Sequence, residues 1–271
     1  MPRIPLITLA TDFGVQSHGV AAMKGAIFEI CPQARVIDLA HGLPDYNITE
    51  AARTMETAAS MPKGVHVCVA DPGVGTQRKA IAIKTGRGDC LVGPDNGVLI
   101  PATRFLGGIA KAVEITNEKF MRHPVSHVFH GRDIFAPAAA YLAKGLQIER
   151  LGPKIGENEL KPGPYNEAAV INGKIEAHVI SINKFGSIRF NVTRANGGQY
   201  GLKAGRRAVL EINGRRMRLA FANTFADVGV GEEVLFFDEY GRVEAAVNQG
   251  SFASRHLSKI GQKAAIRLEQ R

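Results

Sequence analysis

Six short segments hold the residue types that do chemistry. They are Thr11-Asp12-Phe13-Gly14, Asp71-Pro72-Gly73-Val74-Gly75 with Arg78, Gly93-Pro94-Asp95-Asn96-Gly97, Phe129-His130-Gly131-Arg132-Asp133, Asn183-Lys184-Phe185-Gly186 and Asn248-Gln249-Gly250. Carboxylates and amides in such loops accept hydrogen bonds from a ligand, and a histidine gains or loses a proton near neutral pH. Each segment alone is also ordinary turn chemistry, because Asp, Asn and Gly all favour turns. Their recurrence carries the weight. His123, His127 and His130 invite a metal reading, but no HExxH or CxxC pattern accompanies them, so no metal is expected. The Asp71–Gly75 loop lacks the Lys-Ser/Thr of a phosphate loop, which argues against a nucleoside triphosphate. His18 and His41 carry no signal and read as surface residues.

The elements that must position these loops follow from periodicity. Ile4–Ala10, Val36–Leu39, Val65–Ala70, Ile81–Ile83 and Leu91–Val92 are short apolar runs that read as buried strands. A helical pattern runs from Gly19 to Ile30 and stops before Pro32. Asn47 opens another as N-cap, with Glu50 three residues on, and Pro62 closes it. Asp133 is expected to cap the helix carrying Ala138–Ala143. Alternating strand and helix predicts an α/β domain, whose ligands sit beyond the carboxyl ends of its strands. Those ends are where the Asp- and Gly-bearing loops fall.

The Pro- and Gly-rich stretch Gly152–Asn166 reads as a linker. Beyond it, Asn172-Gly173 and Asn213-Gly214 each divide alternating apolar stretches, the strongest local signal for a hairpin. Val179–Ile182, Ala208–Ile212, Arg218–Phe221 and Val234–Phe237 read as strands of a small barrel or sandwich. The expected organisation is an α/β N-terminal domain over residues 1–165 with a mostly parallel sheet, then an all-β domain over residues 166–271.

Composition narrows the class. The 271 residues are 45% hydrophobic and 22% charged, enough for a substantial core. No stretch approaches the roughly 20 apolar residues of a membrane helix. The start is a poor signal peptide, and three scattered cysteines in apolar runs read as reduced core residues, so the expected compartment is the cytoplasm. Of the net charge of +9, residues 166–271 carry +6, notably at Arg206, Arg207, Arg215, Arg216 and Arg218. With no Trp and little aromatic interleaving, that excess reads as solvated hairpin ends rather than a nucleic-acid surface.

In their order and spacing the six segments resemble the SAM hydroxide adenosyltransferases, relatives of the fluorinase and chlorinase, across nearly the whole chain. The resemblance implies a C-terminal β-barrel and a homotrimer with active sites at subunit interfaces. It also implies cleavage of S-adenosyl-L-methionine (SAM) by water into adenosine and methionine, without a cofactor. Asp12 then receives the ribose 2′- and 3′-hydroxyls, and Asp71, Arg78 and His130 match a water-activating triad. Arg78 keeps Asp71 ionised, which makes His130 the expected proton acceptor. Phe129, Asn183, Phe185, Ser187 and Phe225 match substrate contacts, with Phe185 and Phe225 on the adenine. For Phe225, core packing is an equal reading.

An ionised Asp71 repels a halide, and Gly131 lacks the hydroxyl that the fluorinase presents to its ion; both argue for hydrolysis over halide transfer. A nucleoside- or RNA-binding protein with a degenerate pocket is the alternative from another class. Three departures fall on the substrate side: Asn183 for an Asp that meets the amino group, Glu239 near the carboxylate end, and Ser187 for an Asn at the adenine.

Overall fold

A computed structural model describes residues 4–269. The chain forms two compact units, Met1–Pro164 and Tyr165–Arg271.

The first unit is built on strands β1 (Leu6–Thr11), β2 (Arg35–Ala40), β3 (Val65–Val69), β4 (Ala80–Thr85), β5 (Cys90–Pro94), β6 (Ile109–Glu114) and β7 (Lys154–Ile155). They form one sheet in the order β2-β1-β3-β5-β4-β6-β7. The β2-β1-β3-β5 half is parallel throughout. β4 runs against both its neighbours and β7 runs against β6, so β6 shares the direction of the parallel half. The N-terminal sheet is mostly parallel, as the alternation of runs and helices requires.

β1, β3 and β5 are buried along their whole length because helices cover the sheet. Helix α1 (His18–Ile30) packs on α4 (Ala136–Ala143), and α4 lies on β1, β3 and β5. Ile7, Leu9, Val65 and Val67 face Met23, Ile27 and the alanines of α4 in one apolar cluster. A fully buried side chain of this size contributes about 2 kcal/mol. Helix α2 (Ile48–Met55) contacts β1, β3 and the short α3 (Ile100–Phe105). Ser17 caps α1 by accepting from Gly19 N at 3.1 Å, and Asn47 caps α2 by accepting from Glu50 N at 2.9 Å. Cys31, Cys68 and Cys90 are free and buried.

The second unit contains β8 (Ala169–Ile171), β9 (Lys174–Ile182), β10 (Ile188–Thr193), β11 (Arg206–Ile212), β12 (Arg215–Phe221), β13 (Glu233–Phe237), β14 (Arg242–Val247) and β15 (Lys263–Leu268). The order β10-β14-β13-β12-β11-β15-β9 closes on itself through β9–β10 pairing, a seven-stranded barrel to which β8 adds an edge. Phe190, Leu210, Phe221, Leu235 and Ile266 fill the interior. Both Asn-Gly pairs make the expected hairpins, with φ of 51° and 72° at Asn172 and Gly173, and 53° and 69° at Asn213 and Gly214. Positive φ at both central residues is what a tight hairpin demands. Among the described residues no helix is long and apolar enough to cross a membrane.

Candidate active site

Asp12 and Asp71 meet because β1 and β3 are adjacent parallel strands. Thr11 pairs with Val69 in register, so the residues just beyond them leave the sheet at the same edge. There the loops after β1 and β3, the segment after β2 and the stretch before α4 enclose a cavity of about 330 Å³. Asp12, Asp45, Asp71, Phe129 and His130 line it, with Tyr46 and Val128.

Arg78 gathers the polar groups on one wall. Its Nε donates to Asp71 Oδ1 at 2.9 Å and to Oδ2 at 3.0 Å, and its Nη2 donates to Oδ2 as well. The same Nη2 lies 2.8 Å from His130 Nδ1. A guanidinium has donors only, so Nδ1 accepts, and the neutral imidazole carries its proton on Nε2. Burial, and then the charge of Arg78, push the His130 pKa below its ordinary value of 6.5. In this resting arrangement His130 donates at Nε2, because its accepting lone pair faces Arg78.

Local backbone explains how residues so far apart in sequence converge. Gly75 adopts φ of 78°, and a Cβ there would come within 2.7 Å of the His127 carbonyl oxygen. Only glycine lets the Asp71 loop lie this close to the chain leading into His130. His130 opens a π-helical turn, Gly131–Phe135, that continues into α4. Asp133 sits inside that turn and does not cap α4 as the sequence suggested. Its buried carboxylate takes Arg132 Nε at 2.6 Å, Arg132 Nη2 at 2.8 Å and Ser126 N at 2.9 Å. Burial opposes its charge, but Arg132 and the Ser126 N–H outweigh this and hold its pKa below the usual value. The pair fixes the stretch that presents Phe129 and His130. Phe129 stacks edge-on against Phe13, with ring centroids 5.9 Å apart.

Asp12 Oδ2 accepts from Tyr46 N at 3.2 Å. Burial raises its pKa first, the Tyr46 N–H works against this, and Asp45 and Asp71 add to the rise. Sequence reasoning passed over Asp45 and Tyr46, although an exposed aromatic in the left-handed region (Tyr46, φ 59°) marks a constrained loop. His41 is also corrected. It is 8% exposed rather than a surface residue, and it is tied to Thr11 and Asp38. The Gly93–Gly97 loop does not line this cavity. Asp95 accepts from Lys161 N at 2.9 Å and Asn96 donates to Ala70 O at 2.8 Å, so the loop braces its surroundings.

In the barrel unit Phe185, Ser187 and Phe225 line a second cavity of about 530 Å³ with Val247 and Asn248-Gln249-Gly250. Phe185 is 67% exposed, and Phe225, 40% exposed, rests one edge on Phe236 at 4.8 Å. Phe225 is thus partly packed on the barrel, with the rest of its ring left to the cavity. Asn183 is not among the residues lining that cavity. Its Oδ1 accepts from Phe185 N at 3.0 Å and Ser187 N at 3.1 Å, and its Nδ2 faces Glu244 Oε1 at 3.4 Å. Asp238, Glu239 and Glu244 lie close enough together to hold a metal ion. Arg189 is already between them, with Nε 2.9 Å from Asp238 and 2.8 Å from Glu244, and Nη2 3.2 Å from Glu239.

The profile of the SAM hydroxide adenosyltransferase N-terminal domain matches residues 7–152, and that of the C-terminal domain matches residues 177–265. The (R)-S-adenosyl-L-methionine hydrolase of Salinispora arenicola is 37% identical over 259 residues, covering 93% of this chain and 94% of its own. The crystal structure of an uncharacterized conserved protein from Thermotoga maritima superposes with a TM-score of 0.89 at 32% identity, covering 96% of this chain and 99% of that one. The fluorinase of Nocardia brasiliensis is more distant, at 22% identity over 294 residues, covering 98% of each chain.

Proposed function

The chain belongs to the SAM hydroxide adenosyltransferase family, and from that premise we propose that it hydrolyses S-adenosyl-L-methionine to adenosine and L-methionine. The relatives' name specifies the (R) configuration, and that epimer at the sulfonium is the proposed substrate. The observation that carries the reading is the Asp71–Arg78–His130 cluster on the wall of a cavity that also holds Asp12.

Water attacks the ribose 5′-carbon on the face opposite sulfur. The sulfonium leaves as a neutral thioether, so the step needs no general acid and no cofactor. The balance is one cationic substrate and one water giving adenosine, methionine and a proton. Asp12 grips the ribose diol, because one carboxylate accepts from both hydroxyls. Arg78 fixes Asp71 and His130 about the water. With Nδ1 engaged, His130 contributes its Nε2–H to the water oxygen, and Asp71, which has lone pairs beyond those facing Arg78, takes the proton that the attacking water must lose. The three carboxylates lining the cavity, Asp12, Asp45 and Asp71, outweigh Arg78 and favour a cation over neutral products.

Phe129 in the first cavity, and Phe185, Ser187 and Phe225 in the second, are proposed as substrate contacts, the last three for adenine. Asn183 acts by shaping the turn that carries Phe185 and Ser187. A homotrimer with interfacial sites is part of the proposal. Its support is exposed apolar surface on the cavity walls: Tyr46 is 73%, Val128 79% and Phe185 67% exposed. Light scattering on the purified protein tests the subunit number. The proposed compartment is the cytoplasm, which suits three free cysteines. Incubation with each sulfonium epimer and chromatography of the products tests the activity. Equal amounts of adenosine and methionine are expected from the (R) epimer.

A further inference from the structure

The Asp12 carboxylate is aimed by a loop that needs holding. Its donor, Tyr46 N–H, belongs to a bulky residue in the left-handed region, a conformation that persists only where its surroundings impose it. His41, at the other end of the same loop, ties it to the Asp12 turn at two points. Its carbonyl oxygen accepts from Gly14 N at 2.7 Å, and its Nδ1 lies 2.9 Å from Thr11 Oγ1.

The strand register places these groups together. Ala10 pairs with Ala40, so Thr11 and His41 leave two adjacent parallel strands side by side. Thr11 is fully buried, and its hydroxyl oxygen also accepts from Phe13 N at 3.3 Å. The Asp38 carboxylate beside Nε2 favours the tautomer with its proton there, so that Nδ1 accepts from the Thr11 hydroxyl. His41 Nε2 in turn lies 2.9 Å from Asp38 Oδ1, and Lys24 Nζ donates to Asp38 Oδ2 at 2.6 Å. His41 thereby grips the residues on both sides of Asp12 and, through its loop, the N–H that holds the Asp12 carboxylate.

We propose that His41 is a positioning residue for substrate binding, orienting Asp12 through Thr11, Gly14 and the Tyr46 loop without touching the reacting atoms. It rests on the reading of Asp12 as the ribose carboxylate. Misaligning a binding carboxylate weakens the ribose grip and leaves the water-side cluster of Asp71, Arg78 and His130 as it was.

The test is steady-state kinetics of His41→Phe, His41→Asn and Thr11→Val on SAM, beside Asp12→Asn. His41→Phe is expected to raise KM about tenfold with kcat within about twofold, the size of a lost hydrogen bond to a positioning group. His41→Asn, which keeps an acceptor near the Nδ1 position, restores most of the affinity. Thr11→Val cuts the same contact at constant shape, reproduces the KM effect, and carries the test if His41→Phe does not fold. An unchanged KM in His41→Phe and Thr11→Val, or a fall in kcat with KM intact, overturns the inference. If KM rises in Asp12→Asn alone, the ribose reading survives and the inference falls. If it is unchanged in Asp12→Asn, both fall.

Discussion

One guanidinium nitrogen, Arg78 Nη2, donates both to Asp71 and to His130 Nδ1, the latter at 2.8 Å. This shared donor sets the tautomer of the histidine and the orientation of the carboxylate together. Neither residue is arranged independently of the other. Arg78→Lys keeps the charge but not the fork, and a point charge on a flexible stem cannot serve both partners. The variant should lose on the order of 100-fold in kcat while KM moves by less than about threefold, the pattern of an interaction used in the transition state. Steady-state kinetics checks it.

The pH profile follows from two shifted groups. His130 titrates below its ordinary 6.5, so the ring is neutral at pH 7. As pH falls through that lowered value, a proton arrives at the nitrogen facing Arg78, two cations meet, and kcat falls. Any stability tied to the neutral ring is likewise present at higher pH and lost as pH falls through the folded value. Asp12 titrates above its ordinary 3.8, so its acid limb belongs to KM. Measured across pH 4 to 9, kcat should therefore hold level above about pH 6.5 and decline below it.

Asp12→Asn retains shape and one acceptor but loses the charge that draws two hydroxyls. KM should rise about tenfold or more, with a smaller change in kcat, since a diol contact binds ground state and transition state alike. Isothermal titration with adenosine should show the same loss, which separates ribose binding from turnover.

Asp133→Ala leaves Arg132 and the Ser126 N–H without their buried partner. Denaturant unfolding should show a lower midpoint than the unaltered protein, since the hydrogen bonds from Arg132 and Ser126 N–H are lost. Activity should fall further than the folded fraction does, because the turn that presents His130 loosens.

Much of this was legible before the fold. The runs Ile4–Ala10 and Val65–Ala70 read as buried strands because apolar residues continue almost to the Asp-bearing turn, and adjacency in a parallel sheet brings Asp12 and Asp71 together. Both Asn-Gly hairpins were legible because their chemistry is local. β6 was not: Ile109–Glu114 alternates poorly and earns its place by pairing with β4. β14 was hidden for a similar reason. Glu244 interrupts the apolar pattern of that stretch, yet it is 3% exposed and opposite Arg189 in the register of β10. His41 gave no signal because its partner Thr11 lies 30 residues away. Asp133 misled because an Asp before an apolar run looks like a cap. Its neighbour Arg132 instead holds it within a π-helical turn.

The central claim is that water attacks the 5′-carbon, and the place of the new oxygen tests it most directly. Protein incubated with SAM in ¹⁸O-labelled water, with and without chloride or fluoride, should yield adenosine carrying one ¹⁸O at its 5′-hydroxyl. Methionine should be unlabelled, halide should have no effect, and Asp71→Asn should abolish the product. A labelled homoserine would mean attack on a different carbon–sulfur bond, and a 5′-halo nucleoside would mean halide transfer. Either would contradict the account.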